Sequence, residues 1–395
     1  MIRDNTVKNC TACFLCGDLC PVNAISIISD ESGFFRVKID SARCVHCNVC
    51  STYCPQQSSR VSLSKLQNLS RQCFAAWSAD MFCREHSSSG GVFGSIAKKF
   101  LADGNYVVGA GLVNGKIHHI IINDLNQLKT IQGSKYGASN LTGIYIRVKK
   151  LLQQQKKVLF SGTPCQTTAM IHCCSDSERK YLYTLDFVCH GIPSGKLLTL
   201  SEPEPHCVPI GYRDKADSWK RSYAMTWRTP DGEILRIPQK NNIFIQMFGA
   251  NFANRSVCYR CKFNGRRHQA DITCSDFWGI ERFQQEQPDG ISGIMINTPR
   301  GKELVSRSDL RLEPCSFSEM AKSNPRWYCG FNALRFVSFR LWLNRILNRW
   351  DHERAMKLLS GNFRNSPQWF IYHVQAYLLQ KIQSLVQFFC RGMIR

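Results

Sequence analysis

The stretch Cys10-Thr11-Ala12-Cys13-Phe14-Leu15-Cys16-Gly17-Asp18-Leu19-Cys20-Pro21 returns, in spacing, as Cys44-Val45-His46-Cys47-Asn48-Val49-Cys50-Ser51-Thr52-Tyr53-Cys54-Pro55. Both read C-x2-C-x2-C-x3-C-P. Three thiols at every third position of a tight loop turn their sulfurs, with several amide N–H groups, toward one centre; the fourth lies too far along to join them. Cross-linking is a poor reading of so much cysteine. The chain has 395 residues, 21 of them cysteine, and at 44% hydrophobic and 20% charged it builds its own core. The opening Met1-Ile2-Arg3-Asp4-Asn5 holds no apolar run, so no secretory signal and a reducing, cytoplasmic setting are expected. There, cysteine in this quantity serves metal ligation or redox chemistry.

Structural zinc uses paired C-x2-4-C knuckles rather than triplets, which favours iron–sulfur ligation. In the bacterial ferredoxin run the fourth cysteine ligates the other cluster. Cys10, Cys13, Cys16 and Cys54 are therefore assigned to one 4Fe-4S centre, and Cys44, Cys47, Cys50 and Cys20 to a second. Ala24 to Ile28 and Phe34 to Ile39 flank Gly33 as a hairpin. Pro55 is followed by Gln56-Gln57-Ser58-Ser59 and lacks the small-apolar helix start seen after Pro21. Two such clusters are one-electron wires and imply a partner domain with chemistry. A polar stretch over 56–71 reads as the linker to it.

Beyond the linker, Ser87-Ser88-Ser89-Gly90-Gly91 precedes a helical pattern from Val92 to Leu101. A small-residue loop ahead of a helix is a seat for phosphate, and equally an ordinary N-cap. Asn114-Gly115 joins two apolar strands as a hairpin. A basic amphipathic helix is predicted near 142–155. The strand Val158-Leu159-Phe160 then ends at Ser161-Gly162-Thr163-Pro164-Cys165, and a strand from Tyr181 to Val188 ends at Cys189-His190-Gly191. Functional groups collect where strands of an open α/β sheet end, so two cysteines delivered this way suggest a shared site. Cys258-Tyr259-Arg260-Cys261 reads as a zinc half-site, a redox dithiol or a cluster half-site. The four thiols also read as ordinary buried cysteines.

The ordered series Ser88-Ser89-Gly90-Gly91-Val92-Phe93, Gly133-Ser134-Lys135-Tyr136, Ser161 to Gln166, Cys189-His190-Gly191, Tyr212-Arg213-Asp214-Lys215, Cys258-x-x-Cys261 and Asp271-Ile272…Asp276-Phe277-Trp278-Gly279 resembles the coenzyme F-420 hydrogenase/dehydrogenase beta-subunit family. The N-terminal dicluster segment is similar to that of many family members, bacterial ones found with polysaccharide-biosynthesis genes among them. The resemblance implies FAD and a third 4Fe-4S cluster. It makes Cys165, Cys189, Cys258 and Cys261 the ligands of that cluster, and it has Ser87, Ser88, Ser89, Gly90, Gly91, Lys135, Tyr136, Gly162 and Thr163 line the flavin site. Cys274 stands where relatives more often have a small residue; it reads as a spare thiol or as a replacement for one ligand. His190 is a proton donor near the flavin or a structural histidine.

The expected architecture is a multidomain α+β and α/β chain. Residues 1–62 form a two-cluster ferredoxin domain, 63–325 a mixed α/β flavin and iron–sulfur domain, and 326–395 a helical extension. That extension carries eleven Lys and Arg against two acidic residues, with helices read over 336–350 and 369–389. Such helices suit a membrane surface at the inner face, packing on the body, or dimerisation. Arg213, Lys215, Lys220, Arg221 and Arg228 form a basic stretch suited to an anionic substrate, a deazaflavin or a nucleotide sugar, or to a solvated face.

The expected activity is a flavin- and cluster-dependent oxidoreductase that takes electrons from a redox partner protein or reduced ferredoxin. Hydride then passes to or from coenzyme F-420 or a related substrate. A non-catalytic electron-transfer subunit is the alternative. No nucleic-acid partner is expected, because the basic residues gather in no recognised binding motif. The formal charge of +22 falls to about +14 once three clusters and FAD, each about −2, are counted.

Overall fold

The computed structural model describes residues 9–57 and 71–328, apart from 216–218, 220–222, 250, 252–253, 266, 279–282, 284–288 and 323. Most of the polar linker and the two C-terminal helices read from the sequence lie outside the described residues.

The N-terminal unit is built on a hairpin of β1 (Ile25–Ser29) and β2 (Phe35–Ile39), paired with Ile25 opposite Ile39. Asp30 holds its turn by accepting from the N–H groups of Ser32 and Phe34 at 3.0 and 2.9 Å. No helix follows Pro21. The chain passes Asn23, at φ 50°, directly into β1; the short helices sit inside the cysteine runs instead, at Leu15–Asp18 and Val49–Thr52.

The central unit is a mixed eight-stranded sheet. Its strands are β3 (Gln72–Ser78), β4 (Tyr106–Val113), β5 (Lys116–Ile122), β6 (Val158–Gly162), β7 (Leu182–Phe187), β11 (Ile272–Asp276), β12 (Ser292–Ile296) and β13 (Leu310–Pro314), in the order β13-β3-β12-β11-β7-β6-β4-β5. β4, β6, β7 and β11 run parallel, and the outer pairs are antiparallel. Val158, Leu159 and Phe160 are fully buried, as a strand covered on both faces requires. The β4–β5 turn is Asn114-Gly115, with φ of 49° and 72°, the positive pair of a two-residue hairpin. Helix α1 (Val92–Ala102) and helix α2 (Ile144–Gln153) fall where their apolar spacing puts them, and α3 (Pro164–Cys173) opens directly off β6. A separate three-stranded antiparallel sheet, β8 (Val208–Asp214), β9 (Ala224–Arg228) and β10 (Ile234–Pro238), packs Met225 and Trp227 into a core that it shares with Ile117 of β5.

The two units are joined by side-chain and backbone hydrogen bonds. The Asp18 carboxylate accepts from the N–H of Gly143 at 2.7 Å and of Tyr145 at 3.1 Å, capping α2 from across the boundary. Tyr145 Oη donates to the Cys13 carbonyl at 2.7 Å, and the Gly195 N–H donates to the Gly33 carbonyl at 3.1 Å. Gly33 admits no side chain there: a Cβ would lie 2.4 Å from the Lys196 nitrogen.

Candidate functional site

The cysteine runs close into two small concavities. Cys10, Cys13, Cys16 and Cys54 line one, with Pro55 and Gln56; Cys20, Cys44, Cys47 and Cys50 line the other. The crossing follows from the hairpin. Cys20 lies five residues before Ile25 and Cys44 five after its partner Ile39, so the strand register sets them side by side. Both runs bend the same way: Ala12 and Phe14 take φ of 50° and 71°, and His46 and Asn48 take 53° and 61° at the equivalent positions. Left-handed non-glycine residues are uncommon, and here they turn successive N–H groups inward to make an anion-binding concavity. The N–H of Ala12 reaches Cys10 Sγ and that of Ala24 reaches Cys20 Sγ, each at 3.2 Å.

Burial pushes the Cys13, Cys16 and Cys54 thiols up, and their neighbours push them further: Cys16 and Cys10 for Cys13, and Cys10, Cys54 and Cys50 for Cys16. Crowded, desolvated thiols resist ionisation until a cationic core joins them, so a cationic cluster is the group this donor set fits. Cys16 sensing Cys50 also places the two concavities side by side.

A second sulfur group lies where the parallel strands end. Cys165 opens α3 after β6, Cys189 follows β7, and Cys258 and Cys261 sit in and after a 3-10 turn at Ser256–Tyr259. Burial raises the Cys165 thiol to about 12, with Cys261 and Cys258 adding to it. Cys189 is raised by burial and by Cys258, Cys165 and Cys261. The fold thus brings these four cysteines within electrostatic reach of one another. Cys274 stands apart; its thiol is raised by burial and by Asp186, not by the other four. Among the described residues, no three His, Cys, Asp or Glu converge closely enough to hold a single metal ion.

The two sulfur regions meet. Tyr145 senses both Cys13 and Cys165. Lys262 senses both Cys54 and Cys261, and its Nζ donates to the Gln56 carbonyl at 2.7 Å.

Beyond Cys189 opens a cavity of about 420 Å³, in the range that takes a cofactor or small substrate. Ser87, Ser88, Ser89, Lys135, Tyr136, Gly162, Thr163 and His190 line it together with Cys189. Gly90 and Gly91 do not; they shape the loop from behind. A Cβ on Gly90 would lie 2.5 Å from the Ala76 carbonyl oxygen and 2.8 Å from the Ser292 nitrogen, while Gly91, at φ 84°, is the N-cap of α1. No side chain caps α1, and Val92, Phe93 and Gly94 of its first turn line the cavity, which suits a phosphate.

All three serines are engaged with backbone: Ser87 Oγ accepts from the Ser89 N–H at 3.3 Å, Ser88 Oγ accepts from the Ser134 N–H at 2.7 Å, and Ser89 Oγ donates to the Ile291 carbonyl at 2.9 Å. Lys135 Nζ donates to the Gln132 carbonyl at 2.7 Å, and burial lowers its ammonium to about 7. Thr163 Oγ1 lies 3.2 Å from Cys165 Sγ, joining cavity wall to sulfur group. Burial, helped by Arg326 and Arg213, lowers the His190 imidazole to about 4, so near neutral pH it presents a neutral ring rather than an imidazolium acid.

Gln132 and His119 also line this cavity, and sequence reasoning passed over both. Gln132 is buried, and neither of its amide atoms meets a partner among the described residues. His119 Nε2 donates to the Ser161 carbonyl at 3.1 Å, which leaves Nδ1 to accept from Ser139 Oγ at 2.7 Å; burial lowers the ring to about 4. A lone Gln or His carries no spacing signal, and only the convergence of separate loops selects them.

Of the basic stretch, Arg213 lines the cavity and is already engaged within the protein. It donates to Asp276 Oδ2 and to the Trp219 carbonyl, both at 2.7 Å, and lies 5.0 Å over the Tyr223 ring. Lys215 Nζ donates to three carbonyls, Arg84 at 2.6 Å, Ser89 at 3.0 Å and Asp289 at 2.6 Å, and so ties down the serine loop. Arg228 is exposed, and Lys220 and Arg221 lie outside the described residues. Among the described residues no helix is long and apolar enough to cross a membrane.

Fold and site together define an iron–sulfur electron-transfer oxidoreductase with its sulfur groups packed against a mixed α/β sheet. Residues 155–315 match the family model for the C-terminal part of the coenzyme F-420 hydrogenase/dehydrogenase beta subunit, and residues 9–58 match that of the 4Fe-4S dicluster domain. The chain joins a 4Fe-4S dicluster domain to a domain of the coenzyme F-420 hydrogenase/dehydrogenase beta-subunit family. Among solved structures it is similar to a chain of the F-420-reducing NiFe hydrogenase complex from Methanosarcina barkeri. The identity is 20%, over 62% of this chain and 81% of that one, with a TM-score of 0.45. No curated protein matches.

Proposed function

We propose that this chain is an iron–sulfur flavoprotein that relays electrons from its dicluster domain to FAD in the 420 Å³ cavity. The carrying observation is that Cys189 belongs to both the four-thiol group and the cavity wall. The order runs from the Cys20/Cys44/Cys47/Cys50 concavity to the Cys10/Cys13/Cys16/Cys54 concavity, then to a third cluster at Cys165, Cys189, Cys258 and Cys261, then to the cavity. FAD, when bound, couples one-electron cluster chemistry to two-electron hydride transfer.

The protein supplies the setting. The first turn of α1 and Lys135 hold the phosphates, Gln132 satisfies its open amide on the ligand, and Lys215 keeps the serine loop in place. His190, neutral in its buried seat, donates or accepts one hydrogen bond beside Cys189 and carries no charge. The substrate that exchanges hydride is coenzyme F-420 or a related anionic molecule such as a nucleotide sugar of surface-polysaccharide synthesis, and a ferredoxin-like partner delivers the electrons.

Anaerobic purification tests this. About twelve iron and twelve sulfide per chain, with one flavin, are expected. Zinc without labile sulfide, or the absence of flavin, would sink the proposal. Mixing the dithionite-reduced protein with oxidised deazaflavin or nucleotide sugars should reoxidise the flavin; reoxidation by none of them would make the chain an electron-transfer subunit for a separate reductase.

A further inference from the structure

Arg255 lies 1% exposed at the meeting of the two units. Its backbone N–H donates to the Ile192 carbonyl at 2.8 Å, just past Cys189-His190-Gly191, and its own carbonyl accepts from the Cys258 N–H at 2.9 Å. The side chain crosses the boundary, where Nη1 donates to the carbonyl of Thr11, inside the Cys10–Cys13 loop. Nε and Nη2 are buried without a partner, and the guanidinium pairs with no carboxylate among the described residues. The Phe34 ring lies 5.9 Å from the guanidinium carbon, and the nearby Arg36 opposes its charge. What holds that charge in place against burial is sulfur: Cys258, Cys10 and Cys165.

A buried, unpaired cation is strongly disfavoured unless an anion compensates it. The described residues offer none except cysteines of the two sulfur groups. Resting on the three-cluster reading above, we infer that Arg255 is the shared counter-charge of the Cys10/Cys13/Cys16/Cys54 centre and the Cys165/Cys189/Cys258/Cys261 centre, and that it raises the reduction potential of both. An oxidised four-thiolate cubane carries about −2 and gains one more negative charge on reduction. A fixed cation in a low-dielectric seat therefore favours the reduced form of each neighbour. No cysteine of the Cys20/Cys44/Cys47/Cys50 centre is among the groups that act on Arg255. One guanidinium thus raises two consecutive stations together while its bond to the Thr11 carbonyl keeps them close in space. It is a positioning and tuning residue and touches no substrate.

The test is an EPR-monitored redox titration of the full chain, purified anaerobically, as native protein, Arg255→Gln and Arg255→Lys, with iron and sulfide counted in each. In Arg255→Gln, at native iron content, two midpoint potentials should move to more negative values while the distal one stays. Arg255→Lys keeps the charge and should stay near native. Unmoved potentials in Arg255→Gln, or all three moving together, overturn the inference. Should Arg255→Gln lose iron, the lysine variant decides: near-native potentials support the charge role, and potentials displaced downward at full iron content refute it. A native protein with only about eight iron per chain would fail the three-cluster reading instead, and the shift would then be read on the Cys10/Cys13/Cys16/Cys54 centre alone.

Discussion

Removing Cys10 and Cys54 together should cost no more iron than removing either one. In the structure these two thiols share a concavity although they belong to different cysteine runs, while Cys20 sits with Cys44, Cys47 and Cys50. With about four iron per cubane and three cubanes, the native chain should hold about twelve. Cys10→Ser, Cys54→Ser and the Cys10→Ser/Cys54→Ser double variant should each hold about eight, because all three lose the same cluster. Cys10→Ser/Cys44→Ser, striking one ligand of each centre, should fall to about four. If each run closed on itself, the numbers would exchange: Cys10→Ser/Cys54→Ser would fall to about four, and Cys10→Ser/Cys20→Ser would stay at about eight. Anaerobic preparations, assayed for iron and labile sulfide and checked by EPR of the reduced state, separate the two patterns. A double Cys10/Cys54 variant with about four iron refutes the crossing, and with it the reasoning from the β1–β2 register.

Two further outcomes follow from the cavity. Lys135, lowered to about 7 by burial, gains an anionic neighbour when a phosphate binds, which raises its pKa in the complex. FAD affinity of the flavin-stripped protein should therefore be full below about pH 7 and weaken as pH rises through that value. Fluorescence titration between pH 6 and 9 should show the fall, with Lys135→Met flat; a flat native profile counts against a phosphate at Lys135. Gly90→Ala places a Cβ 2.5 Å from the Ala76 carbonyl oxygen, a backbone atom that cannot yield cheaply. It should cost about 2 kcal/mol in denaturant unfolding and weaken flavin binding by displacing the serine loop; an unchanged midpoint would show that the loop is not wedged there.

Local chemistry made part of this protein legible in one dimension. The C-x2-C-x2-C-x3-C-P runs, the Asn114-Gly115 turn and the apolar spacing of Val92–Ala102 and Ile144–Gln153 are short-range signals, complete within one turn, loop or helix face. The crossing of Cys20 and Cys54 was legible too, since fixed cluster geometry leaves the fourth thiol no place in its own run. Other features were not. β3 lies between β12 and β13, strands more than 200 residues further on, and the three-stranded sheet of β8 to β10 carries no motif that announces it.

The charged residues show the difference most sharply. By sequence, Arg213 and Lys215 belong to a basic stretch suited to an anion or to a solvated face, and nothing in its spacing singles out Arg255. In three dimensions Arg213 is held by Asp276 and Lys215 by three backbone carbonyls, while Arg255, bonded to the Thr11 carbonyl, meets no carboxylate among the described residues and lies between two groups of cysteines. Spacing along the chain determines which ligands a segment can offer. Which cation stays free, which amide stays open at Gln132, and which thiols meet at the ends of β6 and β7 depend on contacts between residues far apart in the chain, and those exist only once the sheet has assembled.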